Sequence, residues 1–210
     1  MSPRSEVRAR LRGLYALTDA ATTADPVAHG ARLLAAGVRL LQLRCKDWAP
    51  DEVLAAAREL APRCDEVGAT LIVNDLPEVA VAAAAHGVHV GQTDGDAEAI
   101  RRALGPDLIL GRSTGRVEEL DAACATADYV AFGPVFETPR LSRPKPVRGV
   151  ELLREAVRAV GGRVPLVAIG GIDADRVGQV VRSGVDAWAV IGALAVDDPR
   201  AAVERLSWRT

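Results

Sequence analysis

Cysteine and uninterrupted apolar sequence are both scarce in this chain of 210 residues. The three cysteines, Cys45, Cys64 and Cys124, form neither a CxxC motif nor a cysteine–histidine metal-binding pattern. An odd, unpatterned set of this kind fits a reduced, intracellular setting. The basic N-terminus is followed by no apolar signal segment, and no stretch reaches the roughly 18 consecutive apolar residues of a membrane helix. We therefore expect a cytoplasmic protein without a membrane partner.

A strong excess of charge is also missing. The formal net charge is -2, from 26 Lys and Arg against 28 Asp and Glu, so a broad nucleic-acid-binding surface is not expected. Hydrophobic residues make up 49% and charged residues 26% of the chain, as in ordinary globular proteins. The length favours one domain with a large core, and a homodimer is compatible with this composition.

No histidine or cysteine has an evident catalytic partner. Cys45 adjoins Lys46, but no base is identifiable beside it. His89 is predicted to lie within a strand, no nearer its end than Val90, whereas the other histidines fall in helical or surface sequence. Because nucleophilic catalysis needs a paired base, we do not expect a catalytic histidine or cysteine.

What the chain does contain is a regular alternation of short β-rich runs and helical stretches. The runs lie at 14–17, 38–43, 108–110, 129–132, 166–169 and 187–191, with two more between 70 and 94. Eight strand–helix repeats predict a (β/α)8 TIM barrel with its active site at the carboxyl ends of the strands. A doubly wound open sheet is the alternative. We expect a single domain over 1–210, with 1–12 as an N-terminal extension and 137–147 as a mobile active-site loop.

Asp75 and Asp94 follow two successive predicted strands. Parallel strands joined by a right-handed crossover end at the same edge of a sheet, so the two carboxylates should be neighbours. Adjacent carboxylates with open coordination positions suit Mg²⁺ bound together with a phosphate. The alternative is that each aspartate merely caps the helix after it.

Two further groups of residues at strand ends favour anion binding. Gly170-Gly171 and Gly192-Ala193 close the last two strands, where this fold often binds phosphate on backbone N–H groups; otherwise they only make tight turns. Arg44 and Lys46, two residues apart, could bind a second anion. Together these features predict a site for two anionic substrates. Ser113 and Asn74 either hydrogen-bond to such substrates or serve as turn and cap residues.

Several stretches resemble the thiamine phosphate synthase family, in register from about residue 14 to residue 199. They are Leu14-Tyr-Ala-Leu-Thr-Asp19, Leu41-Gln-Leu-Arg-Cys-Lys46, Val73-Asn-Asp75, Gly87-Val-His-Val-Gly-Gln-Thr-Asp94, Gly111-Arg-Ser113, Asp128-Tyr-Val-Ala-Phe-Gly-Pro-Val-Phe-Glu-Thr138 and Ala168-Ile-Gly-Gly-Ile172. The resemblance implies that hydroxymethylpyrimidine diphosphate is joined to thiazole phosphate, giving thiamine phosphate and pyrophosphate. It also implies a Mg²⁺-stabilised diphosphate leaving group and a pyrimidine carbocation captured by the thiazole nitrogen.

The resemblance also assigns roles to individual residues. Asp75 and Asp94 would hold Mg²⁺. The pyrimidine diphosphate would contact Gln42, Arg44, Lys46, Asn74 and Ser113, and the thiazole phosphate would contact Thr138, Gly171, Ile191 and Gly192. Lys46, Ser113 and Arg140 are the expected catalytic residues.

The chain departs from the family pattern after Phe136. The usual Thr-x-Thr-Lys is here Thr138-Pro139-Arg140-Leu141, so the charge of the missing lysine would come from Arg140, Arg143 or Lys145. Two alternatives follow: a thiazole tautomerase of the same family, and a non-catalytic ligand-binding relative suggested by the altered loop. Against the tautomerase, both metal aspartates are kept, and Pro134 stands where some tautomerases use a histidine.

Overall fold

The predicted strands form one closed sheet. In the computed structural model, which describes residues 9–92, 94–138 and 146–208, each strand pairs in parallel with the next and the first pairs with the eighth. The strands are β1 (Gly13–Asp19), β2 (Leu40–Arg44), β3 (Thr70–Asn74), β4 (Gly87–Val90), β5 (Ile109–Thr114), β6 (Tyr129–Phe132), β7 (Leu166–Ile169) and β8 (Ala187–Val190). The (β/α)8 barrel is therefore confirmed, and the open sheet is wrong.

Helices connect the strands around the outside of the barrel. Those of the described residues are α1 (Pro26–Ala35), α2 (Pro50–Glu66), α3 (Pro77–Ala82), α4 (Ala97–Leu104), α5 (Leu120–Thr126), α6 (Gly149–Val160), α7 (Val177–Val181) and α8 (Arg200–Leu206), with short 3-10 turns at Val117–Glu119 and Gly192–Leu194. Helix α1 begins in the manner typical of an Asp-Pro sequence: the Asp25 carboxylate accepts the Ala28 N–H at 2.9 Å, and Pro26 is the first helical residue. In the described part of the chain, no helix is long and apolar enough to span a membrane.

Neither Asp75 nor Asp94 caps the helix that follows it. Leu76 precedes α3 without a side-chain cap, and the carboxylate that caps α4 belongs to Asp96. The capping interpretation of Asp75 and Asp94 is therefore wrong, and their positions at strand ends need another explanation.

Apolar side chains pack in two layers, one between strands and helices and one inside the barrel. Alternation along β1 sends Leu14 and Ala16 toward the helices, and Tyr15 and Leu17 into the barrel. The inner layer also contains Tyr129, which is 0% exposed. Because both faces of each strand are buried, the strands are continuous apolar runs rather than alternating ones.

Strand β5 is longer than its sequence predicts. The prediction ended at 110, yet the strand continues to Thr114, with Ser113 paired to Ala131 in register. The polar sequence Gly-Arg-Ser-Thr concealed this extension, because its side chains lie near the open end of the barrel where polar groups are tolerated. Ser113 is therefore held on a strand and not on a flexible turn.

Candidate active site

A cavity of about 820 Å³ opens at the carboxyl ends of the strands. Every predicted site residue within the described parts of the chain lines it: Gln42, Arg44, Lys46, Asn74, Asp75, Asp94, Ser113, Thr138, Gly171, Ile191 and Gly192. Arg140, and residues 139–145 of the predicted loop generally, lie outside the described residues, as do residues 1–8 of the predicted extension. The sequence thus predicted which side chains share one cavity.

The two predicted metal ligands adjoin each other on one side of the cavity. The carboxyl groups of Asp75 and Asp94 lie within hydrogen-bonding distance, and Lys46 Nζ is 3.0 Å from Asp75 Oδ2. Asp94 Oδ2 also accepts the Gly91 N–H at 2.6 Å. Burial raises the pKa of Asp75; Lys46 opposes this shift and the neighbouring Asp94 reinforces it. Two carboxylates so close together repel each other unless a cation or a proton compensates.

The backbone helps to hold Asp75 in this position. It adopts a φ of 66°, which is unusual for a residue with a side chain, while its N–H donates to the His89 carbonyl at 2.8 Å. Backbone strain of this kind costs about 1–3 kcal/mol and is kept where surrounding contacts impose it. Strand β4 therefore fixes the turn that directs Asp75 toward Asp94.

The donors at this end fit Mg²⁺ better than a transition metal. Among the described residues, no group of three or more His, Cys, Asp and Glu side chains could enclose a metal ion. A pair of carboxylates leaves most coordination positions to water and to substrate oxygens, which is how Mg²⁺ is usually bound. Zinc sites in proteins rely mostly on histidine nitrogen and cysteine sulfur, whereas the Asp75–Asp94 pair offers only oxygen.

Arg44 is anchored by a carboxylate that the sequence reasoning missed. Asp19 is 3% exposed, its Oδ2 accepts from Arg44 Nη1 at 2.5 Å, and its Oδ1 accepts the Ala21 N–H at 2.9 Å. The two residues are opposite each other in the β1–β2 register. The polar strand end Thr18-Asp19 was the available signal, but the pairing requires knowledge of strand register. Arg44 is thus oriented by the barrel before any substrate binds.

The glycine turns lie on the other side of the mouth, since β7 is four strands away from β3 in an eight-stranded ring. Gly171 has a φ of 64°, and a Cβ there would come within 2.4 Å of the Glu137 carbonyl oxygen. Glycine is therefore required both by conformation and by space. The turn packs directly against the segment that leads into the predicted loop.

Arg176 adds a positive charge at this end that the sequence analysis did not identify. It lines the cavity, its Nη1 donates to the Gly171 carbonyl at 2.8 Å, and its guanidinium carbon lies 5.2 Å from the centre of the Phe136 ring. Such stacking holds a guanidinium in place, and Arg176 Nη1 also lies 3.6 Å from Asp173 Oδ2, which partly offsets its charge. A loop arginine carries no periodicity, so only the fold reveals it.

The floor of the cavity is polar and includes a histidine that the sequence analysis placed away from the site. His89 is 8% exposed and lines the cavity, with Nε2 2.9 Å from Ser113 Oγ and Nδ1 2.8 Å from Tyr129 Oη. The expectation that His89 is no nearer the site than Val90 is wrong, because alternation along β4 sends Val90 to the outer layer. Burial lowers the pKa of His89 to about 4, so the imidazole is neutral at pH 7.

Burial raises the pKa of each cysteine thiol. All three are free, and burial raises the pKa of both Cys45 and Cys64 to about 12. A thiol is nucleophilic only as the thiolate, which is scarce at neutral pH for such groups. This agrees with the expectation that no cysteine acts as a nucleophile.

Known proteins are similar to this chain in sequence and in fold. The family model described as thiamine monophosphate synthase matches residues 14–194. A thiamine-phosphate synthase of Anaeromyxobacter dehalogenans is 42% identical over 201 residues, which are 95% of this chain and 88% of the relative. One of Koribacter versatilis is 43% identical over 204 residues, which are 94% of this chain and 95% of the relative. The structure of a thiamine phosphate pyrophosphorylase from Pyrococcus furiosus matches with a TM-score of 0.86 and 35% identity over 95% of each chain. The chain belongs to the thiamine monophosphate synthase family.

Proposed function

We propose that this protein joins hydroxymethylpyrimidine diphosphate to thiazole phosphate, releasing pyrophosphate and forming thiamine phosphate. One observation carries the proposal: a single cavity has the Asp75–Asp94 pair with Lys46 at one end and the Gly171 and Gly192 turns at the other. Family membership supports the same reaction. A site of this kind suits two substrates, each brought in by its own phosphate groups.

The reaction begins with departure of the diphosphate. The bond between the pyrimidine methylene carbon and the diphosphate oxygen breaks, and its electron pair leaves with the diphosphate. Lys46 and Arg44 offset the negative charge that grows on that group. The lone pair of the thiazole nitrogen then forms the new C–N bond. No proton needs to be removed by a base, which agrees with the weak basicity of His89, whose pKa burial lowers to about 4.

Asp75 and Asp94 would hold Mg²⁺ at the diphosphate end. When bound, this cation would supply further charge stabilisation to the leaving group. Asn74 lies at the end of β3, beside Asp75, and Gln42 lies deeper on β2. We assign both to orientation of the pyrimidine, because their amides can match its ring nitrogens and amino group.

The thiazole phosphate would lie at the glycine end. Gly171, Ile191 and Gly192 line that end of the cavity, and Thr138 contributes a hydroxyl from the segment after β6. Glycine lets the backbone approach a phosphate closely. Arg140, outside the described residues, remains our proposal for the charge that the family's loop lysine would supply.

Pyrophosphate release by the purified protein tests the proposal. Release should require both substrates and Mg²⁺, and EDTA should abolish it. Thiazole phosphate is supplied in its carboxylated and decarboxylated forms in parallel, which identifies the form accepted. No release by folded protein would overturn the proposal. A thiazole isomerisation assay and a binding measurement with thiamine phosphate would then separate the tautomerase from the non-catalytic relative.

A further inference from the structure

A continuous line of hydrogen bonds crosses the interior of the barrel. Gln42 Nε2 donates to Tyr15 Oη at 2.8 Å, and Tyr15 Oη is 3.0 Å from Tyr129 Oη. Tyr129 Oη is 2.8 Å from His89 Nδ1, and His89 Nε2 is 2.9 Å from Ser113 Oγ. The line thus connects two proposed substrate-binding residues, Gln42 and Ser113, through three residues to which the proposed reaction assigns no step.

Strand register explains why this line forms. His89, Gly111 and Tyr129 form a row across β4, β5 and β6. A Cβ at Gly111 would lie 2.1 Å from Tyr129 Cζ, so only glycine lets that ring cross over β5. The ring then stacks on His89 with centroids 5.4 Å apart and meets Tyr15 edge-on at 6.1 Å.

Along this line each residue donates a hydrogen bond to the next, from Gln42 to Ser113. The Gln42 amide nitrogen can only donate, so Tyr15 Oη accepts from it. If Tyr129 also donated to Tyr15, the Tyr15 proton would be buried without the acceptor that Tyr129 offers, at a cost of about 1–3 kcal/mol. Tyr15 therefore donates to Tyr129, Tyr129 donates to His89 Nδ1, and His89 Nε2–H donates to Ser113 Oγ.

Burial keeps this order intact. Tyr15 and Gln42 line the cavity, but Tyr15, Tyr129 and Gln42 are only 1%, 0% and 3% exposed, so water competes little for their hydrogen bonds. Burial also raises the pKa of both tyrosines well above 10, which keeps the hydroxyls protonated. Every link therefore retains its proton at neutral pH.

We propose that this line fixes His89 as its Nε2–H tautomer and thereby makes Ser113 a hydrogen-bond donor to the substrate. With its oxygen occupied as an acceptor, Ser113 directs its own proton into the cavity. The substrate atom facing it is then an acceptor, either a pyrimidine ring nitrogen or a phosphate oxygen. Tyr15, Tyr129 and His89 are positioning residues in this scheme. The substrate part of the inference rests on the proposed function, whereas the tautomer does not.

Long-range ¹H–¹⁵N NMR of the substrate-free protein, labelled at its histidines, tests the tautomer directly. The His89 signals are assigned by their loss in His89→Gln. Nε2 should carry the proton and Nδ1 should have the shift of an unprotonated acceptor. The Nδ1–H tautomer would overturn the proposal, whatever the activity of the protein.

A double-mutant cycle tests the link to the substrate. Ser113→Ala should raise KM for the pyrimidine diphosphate. Tyr15→Phe should raise the same KM on the order of 2- to 10-fold, because without the Tyr15 hydroxyl Tyr129 is no longer constrained to donate to His89. The double variant should be no worse than Ser113→Ala. Additive effects would overturn the coupling. Ser183→Ala, which removes a buried hydroxyl bonded to the Val180 carbonyl at 2.6 Å, is the control for loss of stability alone.

Binding of hydroxymethylpyrimidine without phosphates distinguishes the two acceptors. If Ser113→Ala weakens binding of this alcohol, the acceptor is a ring nitrogen. If only the diphosphate form is affected, the acceptor is a phosphate oxygen. If neither is affected, Ser113 donates to no substrate atom and that part of the proposal is overturned.

Discussion

At the scale of single residues, the site depends on charges that are matched before substrate arrives. Lys46 faces Asp75, and Arg44 faces Asp19. The charge of Asp94 repels that of Asp75 and raises its pKa. If the two carboxylates share a cation, the loss of Asp94 would affect activity and stability differently.

Replacing Asp94 should therefore impair activity without impairing folding. Asp94→Asn keeps an oxygen that can accept the Gly91 N–H but removes the charge that repels Asp75. We expect Mg²⁺-dependent turnover to fall about 100-fold or more, and the free energy of unfolding in EDTA to stay level or rise. Pyrophosphate release and urea denaturation measure the two quantities. Asp107→Ala, at an exposed surface position, is the control, and normal turnover in Asp94→Asn would exclude its metal role.

Arg176 should act at the opposite end of the cavity. Arg176→Gln removes a charge beside the Gly171 turn, and we expect KM for thiazole phosphate to rise about 10-fold with little change for the pyrimidine diphosphate. Steady-state kinetics with each substrate varied in turn measures this difference. Arg182→Gln, on an exposed arginine just after α7, is the matched control. Equal changes for both substrates would point to a general loss of structure instead.

At the scale of secondary-structure elements, the packing of β4, β5 and β6 depends on Gly111, whose lack of a side chain leaves room for the Tyr129 ring. Gly111→Ala would force Tyr129 to move, because the new Cβ would overlap its ring. We expect a loss of about 1–3 kcal/mol in the free energy of unfolding, measured by urea denaturation. Gly115→Ala is the comparison, since its nearest neighbour is the flexible Arg148 guanidinium at 3.2 Å. Equal stability of the two variants would contradict the tight packing described here.

The stability of the region where β1 and β8 meet should depend on pH through His29, a residue of α1. Its Nε2 contacts the Leu194 carbonyl at 2.8 Å, its Nδ1 contacts Thr18 Oγ1 at 3.2 Å, and burial lowers its pKa. The unfolded chain therefore binds a proton more readily, so His29 contributes stability at pH 7.5 that is lost as pH falls below about 6.5. The free energy of unfolding should decline from pH 7.5 to 5.5, and less steeply in His29→Gln. An unchanged slope would show that other groups cause the decline.

At the scale of the whole molecule, ligands should stabilise the barrel only in combination at the carboxylate end. Pyrophosphate with Mg²⁺ should raise the melting temperature by about 5–10 °C at a hundredfold excess over its Kd. Neither Mg²⁺ nor pyrophosphate alone should do so. Pyrophosphate without the cation would face the negative charges of Asp75 and Asp94, and Mg²⁺ without pyrophosphate would lack the phosphate oxygens as ligands. Thermal unfolding of the wild type and Asp94→Asn measures this, and an equal shift in both proteins would argue against a shared site.

The sequence predicted the mouth of the barrel better than its interior. Strand ends such as Asn74-Asp75 interrupt apolar runs, so a local pattern identifies them. The contact between Asp19 and Arg44 depends on register between strands, which no local pattern contains. Tyr15 and Tyr129 look like ordinary core residues until the barrel closes. Helix capping was excluded for Asp75 and Asp94 only once the starts of α3 and α4 were known.

The cavity is formed by residues from both halves of the chain, so two separate fragments would have to assemble to form it. Tyr15, Gln42, Asp75, His89 and Asp94 belong to the first four strand–helix repeats, whereas Ser113, Tyr129, Gly171 and Gly192 belong to the last four. If the chain is cut between α4 and β5, one fragment keeps Lys46, Asp75 and Asp94, and the other keeps Ser113 and the Gly171 and Gly192 turns. Neither fragment can hold both substrates, and three of the four hydrogen bonds in the line, Tyr15–Tyr129, Tyr129–His89 and His89–Ser113, form between the fragments. Turnover would thus report reassembly of the two fragments, which makes the barrel suitable as a split-enzyme sensor of association.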